Sequence, residues 1–266
     1  FSKTPALSPT GNSKPFANDC DGTILGEGLG LVVLKRLEDA ERDGDTIYAL
    51  VKGVGSSSDG KGDAIYAPSS PGQIKALENA YQSADVTPDT IELLEAHGTG
   101  TMKGDAVEAA ALTEVYGARD DSSKAPWVAL GSVKSQIGHT KSAAGAAGLI
   151  KAALALHNKV LPPTIKVEKP ADSVAPGKTP FYVNTVQRPW VANPAHPRRA
   201  AVSAFGFGGS NFHLVMEEYQ PKKAAVDWDG LTQILAFSGD SFEDVQKQLH
   251  ALDASLDWNA IRAHAK

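Results

Sequence analysis

The sequence is poor in cysteine, in basic residues and in long apolar runs, and each shortage excludes a class of protein. Cys20 is the only cysteine in 266 residues, so an internal disulfide framework is excluded and a reducing compartment is expected. Lysine and arginine total 26 against 31 aspartates and glutamates, without a basic block, which disfavours nucleic acid and anionic membranes as partners. The longest weakly polar run, 142–156, contains Lys151 and is too short to cross a bilayer.

The first residues lack the pattern of an export signal. Residues 1–5 carry no charged segment followed by an apolar core, so we expect a cytoplasmic protein without a membrane partner. The chain does not open with methionine, and we expect it to be part of a longer protein. Histidine, cysteine and carboxylate residues nowhere show the spacing of metal ligands, which predicts that there is no metal site.

Short apolar runs alternate with segments of helical periodicity along most of the chain. This alternation predicts a layered α/β fold. Gly44 suits the position just after a helix, where a left-handed residue ends it. The predicted strands are 29–34, 47–54, 91–96, 128–132, 181–184, 199–204 and 211–217, and the predicted helices are 35–43, 71–84, 105–116 and 142–157.

The character of the chain changes after Tyr219. Residues 221–225 resemble a linker, and a predicted strand at 233–237 and a predicted helix at about 242–252 follow it. Ser241 and Asp244 have the spacing of a capping box at the start of that helix. We therefore expect a second, incomplete structural unit here.

Two histidines occupy loops rich in glycine and threonine, each following a predicted strand. His97 lies in Glu-Ala-His-Gly-Thr-Gly-Thr (95–101), and His139 ends Lys-Ser-Gln-Ile-Gly-His (134–139). A neutral imidazole donates a hydrogen bond through Nε2–H and can stabilise a developing oxyanion. The dipole of the helix predicted after His139 would favour its neutral form. The pair predicts an oxyanion site, against the alternative of two packed or surface histidines.

Three further candidates are weaker when each is taken alone. Lys134 could add positive charge near the histidines, although a solvated surface lysine is the better interpretation of this residue in isolation. The loop Phe-Gly-Phe-Gly-Gly-Ser-Asn (205–211) would let the backbone approach a ligand, with Phe207 as a gate, but a plain turn explains its glycines almost as well. Cys20 lies between two aspartates, which disfavour the thiolate, so we expect a poor nucleophile.

Taken together, these motifs resemble those of the β-ketoacyl synthase family in order and spacing. The resemblance covers about residues 1–218, and the motifs look most like those in the ketosynthase of bacterial polyunsaturated fatty acid synthases, which are iterative and polyketide-synthase-like. Gln136 and Ser210 depart from the frequent Asn and Thr, and neither change removes a catalytic group. The matching segments are Pro15-Phe16, Asp21-Gly22, 26–28, 95–101 followed by Gly104, Asp105 and Glu108, then 131–139 and 206–211.

The resemblance implies a thiolase-like fold, in which two similar α/β halves form five αβαβα layers, usually in a homodimer. Residues 1–46 would be the end of the N-terminal half and 47–218 the C-terminal half. Residues 219–266 would begin the linker between the ketosynthase and an acyltransferase domain. The implied partners are the N-terminal half, an acyl carrier protein and the adjacent acyltransferase domain.

The resemblance also implies a reaction, the decarboxylative Claisen condensation of malonyl-acyl carrier protein with a cysteine-bound acyl chain. His97 and His139 would hold the enolate oxygen, and Lys134 would tune the charge around them. The family's nucleophilic cysteine lies earlier in the N-terminal half, so we expect no nucleophile in this chain.

The same resemblance assigns binding and supporting roles. Thr99 and Thr101 would lie near the phosphopantetheine arm of the carrier protein, and Phe207 would gate the acyl pocket. The domain itself would bind no cofactor, because the carrier protein brings the phosphopantetheine. The supporting residues would be Asp105, Glu108, Gly206 and Gly208.

Other members of the same fold class are less compatible with these motifs. Thiolases and chalcone-type synthases should not show the two-histidine pattern, and a chain-length-factor-like partner typically loses catalytic residues. A different class of function stays open, in which the isolated chain is a catalytically inactive fragment that serves only assembly or docking. Half of a thiolase body would also expose a large apolar face.

Overall fold

The computed structural model describes residues 6–60, 67–117, 125–175, 179–220 and 235–252. Contacts divide the chain into two compact units, Phe1–Tyr219 and Gln220–Lys266. No helix in the described ranges combines the length and apolar character that crossing a bilayer requires.

The first unit is built on a mixed six-stranded sheet with the strand order β1-β8-β7-β2-β3-β5, beside a separate β4-β6 pair. β7, β2, β3 and β5 run parallel, whereas β8 pairs antiparallel with β7 and β1. The strands are β1 (Leu50–Ser58), β2 (Leu93–Glu95), β3 (Val128–Gly131), β4 (Val160–Leu161), β5 (Phe181–Val183), β6 (Arg188–Pro189), β7 (Arg199–Gly206) and β8 (Ser210–Glu217).

Helices cover both faces of this sheet. Successive strand residues point to opposite faces, so Leu94 packs in one core cluster and Leu93 in the other. The first cluster includes α2 and α3, and the second includes α5, which gives three layers and confirms the predicted α/β architecture. The helices are α1 (Leu37–Asp43), α2 (Ser70–Ala84), α3 (Met102–Tyr116), α4 (Lys134–Ile137), α5 (Ala144–Asn158) and α6 (Phe242–Ala251).

Most predicted elements are present, with boundaries that differ by a few residues. β1 begins later than predicted and runs on to Ser58, because this whole segment pairs with β8. α3 begins before the predicted residue 105, because Thr101 caps it by accepting a hydrogen bond from the Gly104 N–H at 3.2 Å. Gly44 ends α1 in the left-handed conformation, as expected.

The prediction of a buried strand at 29–34 is wrong. The segment pairs with no strand in the described part of the chain, and the side chains of Leu29, Leu31 and Val33 are 89%, 85% and 95% exposed. An apolar run favours a buried strand only where other elements cover it. Here the described residues leave the outward side chains uncovered.

The second unit contains α6 among its described residues. Ser241 caps it as predicted, since its hydroxyl accepts from the Asp244 N–H at 3.2 Å. The linker at 221–225 lies outside the described residues, as do the first two residues of the strand predicted at 233–237. Leu235 to Phe237 are described and form no strand. The domain limits at residues 46 and 218 stay predictions.

Candidate active site

The loops that contain the two histidines begin at the same edge of the sheet. They follow β2 and β3, which are parallel neighbours, so their carboxyl ends meet there. A cavity of about 220 Å³ opens at this edge. The sequence-predicted residues that line it are His97, Thr99, Thr101, Glu108, His139, Gly206 and Phe207.

The imidazole rings of His97 and His139 lie close together, with centroids 5.4 Å apart and planes at 82°. Nδ1 of His97 accepts from the Phe205 N–H at 3.3 Å, and Nδ1 of His139 accepts from the Lys141 N–H at 3.0 Å. A backbone N–H can only donate, so each Nδ1 is an acceptor and the proton of each neutral ring is on Nε2. Both rings therefore have an Nε2–H group available as a donor.

Burial and positive neighbours keep both imidazoles neutral. Burial lowers the pKa of His97 well below its ordinary value, with further lowering by Lys134 and His139. Burial also lowers the pKa of His139 to about 4, helped by Lys134 and Lys141. Near pH 7 the two rings are neutral donors, and an oxyanion between them would accept both hydrogen bonds.

Two buried carboxylates of α3 fix the His97 loop. Glu108 accepts the N–H of His97 at 2.7 Å and of Gly98 at 2.8 Å. Asp105 accepts the N–H of Gly100 at 3.1 Å and of Phe16 at 2.8 Å. Burial raises the pKa of Glu108 to about 7 and that of Asp105 to about 6. These side chains hold the backbone rather than the imidazole rings.

Lys134 is inside the protein, so its interpretation as a solvated surface lysine is wrong. The residue is 3% exposed, and its Nζ donates to the backbone carbonyl oxygen of His97 at 2.5 Å. Burial lowers the pKa of Lys134, whereas the carboxylates of Glu95, Glu108 and Asp105 oppose that shift. The ammonium thus joins α4 to the backbone of the His97 loop.

Thr99 and Thr101 lie on one side of the cavity, and their hydroxyl oxygens are 2.9 Å apart. The Thr101 hydroxyl also accepts from the Gly104 N–H at the start of α3. Thr101 therefore serves the helix as well as the cavity wall.

The loop after β7 forms another side of the cavity. Gly206 and Phe207 line it, and Phe207 is 59% exposed. Gly208 lies in the same turn with φ +91°, but it is not among the lining residues. The predicted plain turn is present as the β7–β8 connection, whereas the approach of its backbone to a ligand stays a prediction.

The amino-terminal segment also holds this site in place, which the sequence did not predict. The His139 N–H donates to Ile24 O at 2.7 Å, and the Gly26 N–H donates to His139 O at 3.0 Å. The Gly22 N–H donates to Gly100 O at 2.9 Å. These are backbone bonds between distant segments, and residue types alone carry no pattern that predicts them.

Cys20 lies in the core rather than in the cavity wall. It belongs to the cluster that contains Phe16 and is 5% exposed. Burial raises its pKa to about 11, with additions from Asp105 and Asp19. A buried thiol that resists deprotonation is a poor nucleophile.

Three family models match the chain, and all describe ketosynthases. "Beta-ketoacyl synthase, N-terminal domain" matches residues 1–40, and "Beta-ketoacyl synthase, C-terminal domain" matches residues 48–168. "Ketoacyl-synthetase C-terminal extension" matches residues 172–263.

Individual proteins agree with these models. The chain is 46% identical over 85% of its length to a polyunsaturated fatty acid synthase of Thraustochytrium sp., and 45% identical over 82% to a polyketide synthase of Bacillus subtilis. It spans 8% and 5% of those proteins.

Solved structures give the same answer. The ketosynthase from module 6 of the bacillaene synthase of Bacillus subtilis superposes with a TM-score of 0.76 at 39% identity, covering 93% of this chain and 42% of that one. The family resemblance read from the motifs and the thiolase-like fold class are confirmed. This chain belongs to the β-ketoacyl synthase family.

Proposed function

We propose that this chain provides the enolate-binding part of a ketosynthase that condenses malonyl-acyl carrier protein with a cysteine-bound acyl chain, in polyunsaturated fatty acid or polyketide synthesis. The observation that carries the proposal is the pair of Nε2–H donors on His97 and His139 at one cavity. Both donors are held before any substrate arrives, so little reorganisation is needed as charge develops.

The reaction needs an acceptor for negative charge on a thioester oxygen. Loss of CO₂ from the malonyl group leaves its bonding electron pair as an enolate, whose oxygen would accept from both imidazoles. The enolate carbon then attacks the acyl thioester carbonyl, a carbon–carbon bond forms, and the cysteine thiolate leaves. Each donor contributes on the order of 3 kcal/mol to such a transition state.

Other residues of the cavity would bind and orient the substrate. Thr99 and Thr101 present hydroxyls where a phosphopantetheine arm would lie, and Phe207 would gate the acyl pocket. Lys134, Glu108 and Asp105 would support the histidine loop through its backbone. Gly206 and Gly208 would let the gate move. The arm arrives with the carrier protein, so the domain itself would hold no cofactor.

Cys20 would not carry the acyl group, since it is buried away from the cavity wall and its pKa is raised. The thiol would come from another part of the synthase. The N-terminal half, the carrier protein, an acyltransferase domain and a second ketosynthase copy remain the proposed partners, and a cytoplasmic location stays a prediction.

His97→Ala in the complete synthase tests the proposal. Decarboxylation of malonyl-acyl carrier protein should fall at least about a hundredfold, the loss typical of one oxyanion donor. Acyl transfer to the active-site cysteine should persist. His157→Ala is the matched control, because His157 is exposed and lies outside the cavity lining. Unchanged condensation by His97→Ala would contradict the proposed role.

The inactive fragment is the second candidate function. Mass measurement of the purified sample separates the two, since the chain alone weighs 27.9 kDa. A companion polypeptide with a reactive cysteine would indicate a nicked enzyme. The chain alone, with no acylation of Cys20 by an acyl carrier protein donor, would favour the fragment; a stable adduct on Cys20 would overturn our interpretation of that thiol.

A further inference from the structure

An ion pair lies behind the His97 loop, outside the residues that line the histidine cavity. Glu95, at the end of β2, is 2% exposed, and its Oε2 lies 2.6 Å from Nζ of Lys151 on α5. The other oxygen of Glu95 accepts the N–H of Val133 at 2.6 Å. Glu95 of β2 thus contacts both α5, through Lys151, and the turn after β3, through Val133.

This turn is the one that positions Lys134. Val133 directly precedes Lys134, whose ammonium donates to the backbone carbonyl oxygen of His97. A continuous path of three polar contacts therefore runs from Lys151 through Glu95 and the Val133 N–H, then through Lys134, to the backbone of His97. A shift of Glu95 would change where the Lys134 ammonium lies.

Glu95 and Lys151, the two charged residues of this path, also act on the protonation of the Lys134 amine. Glu95 favours the protonated amine, whereas Lys151 disfavours it. The charged or titratable groups that act on or contact Lys134 are Glu95 of β2, Asp105 and Glu108 of α3, Lys151 of α5, and His97 and His139 of the two loops.

We propose that Glu95 and Lys151 are positioning residues, whose ion pair holds the turn at Val133 and with it the Lys134 ammonium at the His97 carbonyl, while Glu95, but not Lys151, favours the charged form of Lys134. This inference rests on the proposed function, because it concerns the same enolate site. A buried ion pair adds little stability by itself compared with apolar side chains of similar volume. The contact of Glu95 with the Val133 N–H, next to Lys134, gives the ion pair a positioning role that apolar side chains could not fill.

The two charges make opposite predictions, which separates this role from a purely structural one. Glu95→Gln and Lys151→Met both break the same ion pair. Losing the Glu95 charge lowers the pKa of Lys134, whereas losing the Lys151 charge raises it. A structural role would make both variants lose activity in the same way at every pH.

The test measures decarboxylation of malonyl-acyl carrier protein by the complete synthase as a function of pH. The alkaline limb of kcat should move by about one pH unit to lower pH in Glu95→Gln and by a similar amount to higher pH in Lys151→Met. Lys75→Met, on an exposed part of α2, is the charge-matched control and should keep the wild-type limb. Shifts in the same direction, or unshifted limbs in both variants, overturn the inference.

A double variant covers the case in which a single change prevents folding. Glu95→Gln with Lys151→Met buries no charge and keeps an amide oxygen for the Val133 N–H. We expect it to fold and to lose kcat about tenfold at unchanged KM, since residue 95 keeps the Val133 N–H but loses its anchor on α5, the Lys151 ammonium. Wild-type kcat at every pH in the folded double variant would refute the positioning role. If the wild-type synthase shows no His97-dependent decarboxylation, the proposed function itself fails, before any variant is compared.

Discussion

The histidine rings depend on backbone amides for their tautomer and on burial for their charge. Phe205 and Lys141 each supply a backbone N–H to an Nδ1 atom, and their side chains take no part in these two hydrogen bonds, although the Phe205 ring packs with its centroid 5.8 Å from that of His97 and the Lys141 charge helps to lower the pKa of His139. Substituting these side chains should therefore leave the donor tautomer unchanged, whereas moving either backbone N–H should remove the bond that fixes it.

The charge of His139 gives a prediction that needs no substrate. Its ring should titrate with a midpoint of about 4, observed by NMR of the ring protons. Lys134→Met should raise that midpoint toward the ordinary value, because Lys134 contributes to the lowering. A midpoint near the ordinary value of about 6.5 in the wild type would contradict the buried, neutral ring.

The same pKa has a consequence for stability. Below about 6.5 the unfolded chain protonates His139, whereas the folded chain stays neutral down to about 4. The unfolded state then binds more protons, so the wild type should lose stability relative to His139→Asn as pH falls through that window. Denaturant unfolding of both proteins at several pH values measures the difference.

Thr101 gives a second prediction at this scale. Thr101→Ala removes the hydroxyl that caps α3 and should lower the free energy of unfolding by about 1 kcal/mol. Thr99→Ala is the control, since Thr99 shares the hydroxyl contact but caps no helix. Equal losses in the two variants would argue against the capping role.

Much of the site could be predicted as single residues, because its side chains belong to motifs. His97, Thr99, Thr101, Glu108 and His139 were all predicted, and the cavity brings them together. Glu95 opens the motif of the first histidine, but no role could be predicted for it, since its partner Lys151 is 56 residues away on helix α5. Contacts of that separation are fixed by packing, which spacing along the chain does not encode.

At the scale of elements, the two glycines Gly145 and Gly148 of α5 differ in how closely neighbouring side chains approach the helix. A Cβ on Gly145 would meet only the Ala204 Cβ at 3.5 Å, an ordinary contact. A Cβ on Gly148 would lie 3.0 Å from Val202 Cγ1 and 3.1 Å from Glu95 Cγ. Gly145 therefore has room for a methyl group, whereas Gly148 lacks that room because the Glu95 and Val202 side chains pack directly against the helix there.

Alanine at these two positions should therefore have opposite effects. Gly145→Ala should raise the free energy of unfolding by about 0.5–1 kcal/mol, because it removes backbone freedom from the unfolded chain. Gly148→Ala should lower it, because Val202 or Glu95 must move. Denaturant unfolding of both variants measures this, and stabilisation by Gly148→Ala would contradict the close packing.

The elements themselves were predictable where a periodic pattern coincided with real burial. α2 and α5 have apolar faces against the sheet, and both were predicted to within two residues. The prediction of a strand at 29–34 was wrong because an apolar run indicates a preference for burial, but it does not indicate whether another element covers the run.

On the scale of the molecule, the uncovered apolar residues predict self-association of the isolated chain. Leu29, Leu31 and Val33 are exposed, and Leu29 also lines a cavity of about 610 Å³ to which α5 contributes other residues. Exposed apolar patches of this kind drive association. Sedimentation velocity should show oligomers whose fraction falls in Val33→Lys.

Gln82→Lys controls for the added charge, since Gln82 is exposed on α2. A chain that stays monomeric at all concentrations would contradict the prediction, as would equal rescue by both lysine variants.

The fold family was predictable at this scale from its motifs, whereas the three layers of the described part required coordinates.

The backbone bonds of His139 to Ile24 and Gly26 have a mechanical consequence. The amino-terminal segment bonds the backbone of His139 itself, whereas its bonds from Gly22 to Gly100 O and from Phe16 to Asp105 reach His97 only through neighbouring residues. A displacement of that segment would therefore move the His139 imidazole more directly than the His97 imidazole. The distance between the two donors thus depends on where the amino-terminal segment lies, and it can change without a substitution at either histidine.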